Sequence, residues 1–168
     1  MQFTQINSPL GRLTLAASEH GLAGVYFDEH RHFKGIDGWQ RVPDLPIFQT
    51  VSQQLTEFFA GTRTTFDLPL DLSAGTPFQQ QVWRALQTIP FGGTLSYGGL
   101  ARRLANPQAV RAVGAANGRN PISIIIPCHR VIAANGDLTG YAGGLKNKQS
   151  LLKFEAEKHQ LFRLPFTQ

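Results

Sequence analysis

The 168-residue sequence holds one cysteine, Cys128, and one methionine. A single thiol excludes an intrachain disulfide and any zinc site with two or more cysteine ligands. Charge is sparse, at 16% of residues against 42% hydrophobic. That excludes a disordered chain and leaves enough apolar content for a packed core. Long apolar runs are also missing. The longest pure aliphatic run is Ile124-Ile125-Ile126, far short of the ~20 residues that cross a bilayer. The start, Met1-Gln2-Phe3-Thr4-Gln5, has neither a basic region nor an apolar one behind it. No signal peptide and no membrane partner are expected, and the location read from this is cytoplasmic. Acidic residues are scarce in one half only. Residues 76–168 carry Asp137, Glu155 and Glu157 against eleven Lys/Arg, a net +8, whereas residues 1–75 are net −3. Such asymmetry points to a polyanionic partner for the second half, although a solvated basic face accounts for it equally well.

The first 75 residues read as strands and one helix. Phe3 to Ile6 and Leu13 to Ala16 alternate in polarity, Leu22 to Phe27 is an apolar run, and turn residues separate the three. This predicts an antiparallel meander. Residues 30–45 read as a loop. Ile47, Val51, Leu55, Phe58 and Phe59 recur at helical spacing up to Gly61. Phe66 to Leu70 reads as a short strand, and Asp71 to Gly75 as a linker. The division expected is 1–75 and 76–168.

The second half reads as helices. Thr76-Pro77 is a cap followed by proline, and Phe78, Val82, Ala85, Leu86 and Ile89 form a stripe. Ser96 can cap a second helix with Tyr97, Leu100 and Leu104. Asn106-Pro107 repeats the cap-plus-proline signal before Val110, Val113 and Ala116. Two helices so close match a helix-turn-helix, decorated by Arg102, Arg103, Arg111 and Arg119; an ordinary helical hairpin with exposed arginines fits the same spacing. Asn120 to Ile126, rich in β-branched residues, suits a small buried strand or extended segment. Residues 135–144 form a Gly-rich loop, and a last helix is expected from about Lys146 to Glu157, with Leu151, Leu152 and Phe154 inward.

The chemistry concentrates at Pro127-Cys128-His129-Arg130-Val131. A lone cysteine is by default a small buried hydrophobe. Here it lies between an apolar segment and a charged pair, and a cationic neighbourhood predicts a thiol pKa below the ordinary ~8.5. A base with a group to orient it, His129 and Glu155, is the logic of an activated nucleophile. In extended backbone, however, adjacent side chains diverge, so Cys128 and His129 need a turn or a water between them.

Ile126-Pro-Cys-His-Arg-Val131 resembles the active-site signature of the O6-alkylguanine-DNA alkyltransferases, or methylated-DNA–protein-cysteine methyltransferases. The resemblance extends to Thr76-Pro-Phe-Gln-Gln-Gln-Val-Trp83, Ser96-Tyr-Gly-Gly-Leu-Ala101, Val110-Arg-Ala-Val-Gly114, Asn120-Pro121, Thr139-Gly-Tyr-Ala-Gly-Gly144 and Leu151-Leu-Lys-Phe-Glu155. It covers residues 76–155 closely and residues 1–75 only in length and coarse pattern. It implies an α+β fold, with an N-terminal ribonuclease-H-like meander plus helix and a C-terminal helical domain carrying the helix-turn-helix.

It also implies roles. Cys128 takes the alkyl group from guanine O6 of a flipped base in double-stranded DNA, irreversibly and once per molecule, with O4-alkylthymine a second candidate lesion. His129 acts as base through a water, and Glu155 orients it. Asn120 is a polar hinge, and Tyr97 contacts the flipped guanine. Arg111 enters the duplex in place of the flipped base. Pro127, Val131, Tyr141 and Ala142 line the pocket, and Ser96, Ala109, Gly114, Asn117 and Arg119 join Arg111 at the DNA. Some relatives carry Ser where this chain has Ala142, which keeps a backbone N–H but no hydroxyl. Residues 1–75 lack the cysteines and zinc-site residues of some relatives, so the resemblance implies no metal here, and it implies no cofactor, no obligate protein partner and a monomer. Two other readings stay open at this level: a Cys-His hydrolase, which leaves the basic helices unexplained, and a helix-turn-helix lesion binder or regulator, which leaves Cys128 without a task.

Overall fold

The computed structural model describes residues 1–163. Strands β1 (Gln2–Ser8), β2 (Gly11–Ser18) and β3 (Gly21–Phe27) form the expected antiparallel meander, with Phe3 opposite Ala16 and Leu13 opposite Phe27. Leu13 to Ala17 are all buried, so β2 is covered on both faces. The loop expected over 30–45 contains one more strand, β4 (Gln40–Arg41), parallel to β1; the sheet order is β3-β2-β1-β4. Two polar residues carry no alternation, which is why the pattern misses them. Helix α1 (Pro46–Phe59) turns Phe48, Val51, Leu55 and Phe58 inward, and Gly61, at φ +80°, ends it in a conformation glycine adopts freely. The strand expected over Phe66 to Leu70 is not formed. Only Leu70 pairs, as a single bridge to Leu22.

The second half opens with α2 (Pro77–Leu86), held by a capping box. The Thr76 side chain accepts from the Gln79 N–H, and the Gln79 side chain accepts from the Thr76 N–H. Strand β5 (Leu95–Ser96) runs into α3 (Tyr97–Arg103), whose Gly99 N–H donates to the Ser96 hydroxyl at 2.9 Å. Helix α4 is Val110–Gly118. It starts three residues later than the Asn106-Pro107 signal suggests, because those residues form a separate turn, in which the Ala109 N–H donates to the Asn106 carbonyl. Arg111 is therefore the second residue of α4. The Trp83 indole donates to the Ala116 carbonyl at 2.8 Å and ties α2 to α4. Strand β6 (Val131–Ile132) pairs in parallel with β5, and α5 (Leu145–Arg163) runs past the expected end. Among the described residues, no helix is long and apolar enough to cross a membrane.

The two halves share one core. Val25 of β3 donates its N–H to the Pro121 carbonyl at 2.9 Å and accepts from the Ser123 N–H at 3.2 Å. The outer edge of the sheet is thus paired by the segment that leads into Cys128.

Candidate active site

The segment 120–126 is buried as expected but is not a strand. It folds into a knot of tight turns: Ile125 N–H donates to the Ser123 carbonyl at 2.8 Å and Ile126 N–H to the Ile122 carbonyl at 3.0 Å. The Asn120 side chain replaces the missing ladder. Its oxygen accepts from Ile122 N–H at 3.0 Å, and its amide donates to the Ile126 carbonyl at 2.8 Å. Ile124 is forced to φ +74°. A β-branched residue there costs about 1–3 kcal/mol of backbone strain, sustained only where the surroundings over-determine it.

The chain leaves this knot through Pro127 into a 3₁₀ turn, Cys128–Arg130. The turn brings Cys128 and His129 out of the opposed arrangement of extended backbone. His129 is fully buried, and its Nε2 lies 2.6 Å from Glu155 Oε2. Arg130 forks onto the same carboxylate, Nε to Oε1 at 2.8 Å and Nη2 to Oε2 at 3.0 Å, and donates from Nη1 to the Ile89 carbonyl at 2.7 Å. Gly92 N–H adds a bond to Oε1 at 3.3 Å. Burial alone would raise the Glu155 carboxyl, but His129 and Arg130 outweigh it and hold the group down to about 2. The carboxylate is therefore charged, and His129 gives it the Nε2 proton. Burial outweighs the carboxylate at His129 and lowers the imidazole, which is neutral. Its Nδ1 lone pair is free to take a proton, being buried with no protein partner among the described residues.

The thiol departs from expectation. Burial pushes Cys128 up to about 11, against the opposing pull of the Asn120 amide and the Lys148 ammonium. The adjacent Arg130 does not supply the expected cation, because Glu155 neutralises it. At neutral pH the group is a thiol, and deprotonation needs a base at the moment of reaction.

Other residues that the resemblance names lie around this turn and on α3 and α4. Val131, Tyr141 and Ala142 are buried beside the 3₁₀ turn, with the Tyr141 ring edge-on to His129 at 6.5 Å. The Tyr141 hydroxyl also has no hydrogen-bond partner among the described residues. Tyr97, at the start of α3, donates to the Thr139 carbonyl at 3.3 Å and accepts from the Thr139 hydroxyl at 3.2 Å, which joins α3 to the 139–144 loop. Gly114 of α4 lies against the Tyr97 ring. Arg111 and Arg119 are exposed, and Ala109 is half-buried. Ser96 is occupied in capping α3. Asn117 is 3% exposed and lies on the core face of α4 with Val113 and Ala116.

Lys148 was not singled out by the sequence, because a lysine in a helix ordinarily lies in solvent. One signal was there: it stands three residues before Leu151 and seven before Glu155, on the same inward stripe of α5.

Comparisons with known proteins agree over nearly the whole chain. Residues 77–157 match the family model described as "6-O-methylguanine DNA methyltransferase, DNA binding domain", and residues 1–72 match its ribonuclease-like domain. A Mycolicibacterium paratuberculosis protein named methylated-DNA–protein-cysteine methyltransferase is 48% identical over 155 residues, 92% of either chain. A Methanosarcina acetivorans protein of the same name is 48% identical over 156 residues, 92% of this chain and 98% of that one. The crystal structure of Mycobacterium tuberculosis OGT in complex with DNA superposes with a TM-score of 0.87 at 47% identity, covering 94% of each chain. The chain belongs to the 6-O-methylguanine DNA methyltransferase family.

Proposed function

We propose that the protein repairs O6-alkylguanine in double-stranded DNA by moving the alkyl group onto Cys128, once per molecule. The observation that carries this reading is a set of buried groups: a charged Glu155 on α5, a neutral His129 oriented by it at 2.6 Å, and the only thiol of the chain, Cys128, next to His129 in the same 3₁₀ turn. The free Nδ1 of His129 is the base. It takes the thiol proton through a water, so that sulfur attacks the alkyl carbon in line as the C–O6 bond breaks. The electron pair stays on the guanine, which ends protonated at N1; the thiol proton is thereby accounted for.

An O6-alkyl group is stacked inside the duplex, so the base must be extruded to meet a buried sulfur. In this reading Arg111, exposed near the start of α4, fills the gap; the Tyr97–Thr139 hydrogen bonds, which join α3 to the pocket loop, support it. The basic second half holds the phosphates. Pro127, Val131, Tyr141 and the Ala142 backbone form the pocket. The product thioether has no hydrolytic route among these groups, and no second cysteine exists to relieve it. The protein is expected to act as a monomer in the cytoplasm.

Intact mass after mixing with O6-methylguanine duplex tests the reading. One methyl gained per protein, on Cys128, is expected. An unchanged mass with retained binding would leave a lesion binder, and a released hydrolysis product would leave a hydrolase.

A further inference from the structure

Lys148 is fully buried near the beginning of α5, yet among the described residues no carboxylate lies within 4.0 Å of its Nζ. Its three donors go to backbone carbonyls: Val131 at 2.6 Å, Thr139 at 2.8 Å and Gly140 at 3.5 Å. Three acceptors saturate an ammonium. They do not neutralise it, and a buried charge without a counter-ion is costly. If joining β6 to the 139–140 loop were the whole task, a neutral amide would do it without that cost. The other charges of the site are already balanced. Arg130 and Glu155 form a bidentate pair, and His129 is neutral. Among the described residues, the one group nearby whose reaction creates an anion is Cys128, three positions before Val131.

We propose that Lys148 is a positioning residue: its buried ammonium, fixed by the carbonyls of Val131, Thr139 and Gly140, is the positive charge against which Cys128 gives up its proton. His129 then receives the proton, and Lys148 holds the negative charge it leaves behind. The two ionisations favour each other, since the ammonium lowers the thiol and the thiolate raises the lysine. This division of labour answers how a thiol raised so far by burial can react at neutral pH. The inference rests on the proposed function only in taking Cys128 as the acceptor.

The test uses Lys148→Gln, which keeps amide donors for the carbonyls and removes the charge, beside Lys148→Met, which removes both. Two rates are read: alkylation of Cys128 by iodoacetamide, which needs no DNA, and transfer from free O6-benzylguanine across pH. The expected result is that both variants move the profiles up by about one pH unit or more, a loss of about tenfold at fixed pH. Duplex binding should stay within about twofold of wild type, since no phosphate-facing group has changed. If Lys148→Gln keeps the wild-type profiles while Lys148→Met loses them, the side chain is a hydrogen-bonding clamp and the proposal is overturned.

If wild type takes no methyl from DNA but the iodoacetamide profile still shifts, the functional reading fails and this inference stands.

Discussion

The N-terminal sheet and the segment 120–131 lie in contact at Val25 and Ile122, and they obey opposite rules. In the sheet, each residue does what its local preference favours. Leu13, Leu15 and Val25 are β-formers in strands, buried against Phe48 and Phe58 of an amphipathic helix. In the segment beside it, local preferences are overridden one after another. An isoleucine sits at φ +74°, an asparagine side chain stands in for a strand ladder, and a histidine, an arginine and a glutamate are buried together. The first region is a frame that stores nothing. The second is held in a shape it would not adopt alone, and the frame is what holds it.

The comparison breaks most completely at the sulfur. Cys128→Ser should abolish transfer, with no methyl gained by mass, while thermal unfolding and duplex binding stay near wild type. One oxygen for one sulfur changes the nucleophile and hardly the packing. Turnover beyond one alkyl group per wild-type molecule would contradict the single-use scheme.

Next come two substitutions of similar cost and different consequence. Phe58→Ala removes a fully buried ring from the frame and should destabilise by about 3–5 kcal/mol. Glu155→Ala leaves Arg130 buried without its anion and should also cost about 3–5 kcal/mol. Denaturant titration checks both. The transfer rate per folded molecule separates them: nearly unchanged for Phe58→Ala, and reduced at least tenfold for Glu155→Ala, because His129 loses the group that fixes its tautomer. Equal rates would mean that the buried ion cluster is no more than another piece of frame.

The same contrast explains what could be read from the residues alone. Strands β1 to β3 and helix α1 are legible because alternation or a short apolar run between turn residues marks the strands and apolar residues at helical spacing mark the helix. The turn knot at 120–126 was not, since a run of isoleucines favours a strand and only the Asn120 side chain decides otherwise. The start of α4 was misplaced because Asn106-Pro107 satisfies a turn as well as a cap. The His129–Glu155 pair was legible from the motif, while the true state of Cys128 was not. Its pKa is set first by burial, against which the Asn120 amide and Lys148 pull, and these lie 8 and 20 positions away in sequence.

On the DNA-facing side the expected effects are smaller and depend on substrate. Arg111→Ala should slow transfer from duplex DNA at least about tenfold, because the flipped base costs a few kcal/mol and loses its replacement. Transfer from free O6-benzylguanine should stay within about twofold, since nothing is flipped. Arg111→Lys should restore duplex transfer poorly, because an ammonium neither stacks nor presents a planar fork. Full rescue by lysine would assign Arg111 to phosphate contact instead.

The smallest effect lies where the frame touches the pocket loop. The Arg31 N–H donates to the Ala142 carbonyl at 2.8 Å, and the Phe27 ring packs edge-on to Tyr141 at 6.0 Å. His30 lies between these contacts, and its Nδ1 accepts from the Phe27 N–H at 3.3 Å. That bond requires a neutral ring. Burial, with a smaller push from His32, lowers His30 to about 4 from an ordinary 6.5. Between those two values the unfolded chain binds a proton that the folded chain refuses, so stability rises with pH across this window. The His30 contribution is fully present above pH 6.5 and is lost as pH falls towards 4. Glu155 acts lower: its folded value of about 2 against an ordinary 4.5 gives stability that is lost only below about pH 4.5. His129, also lowered by burial, adds to the slope in the histidine window. The difference between wild type and His30→Gln isolates the His30 share, which partial exposure should keep under about 1 kcal/mol per pH unit. Denaturant titrations at pH 7, 6, 5 and 4.5 should therefore show a flatter decline in His30→Gln than in wild type. Parallel declines would mean that the strand end at Phe27 does not sense the protonation of His30, and that the contact between frame and pocket loop is indifferent to pH.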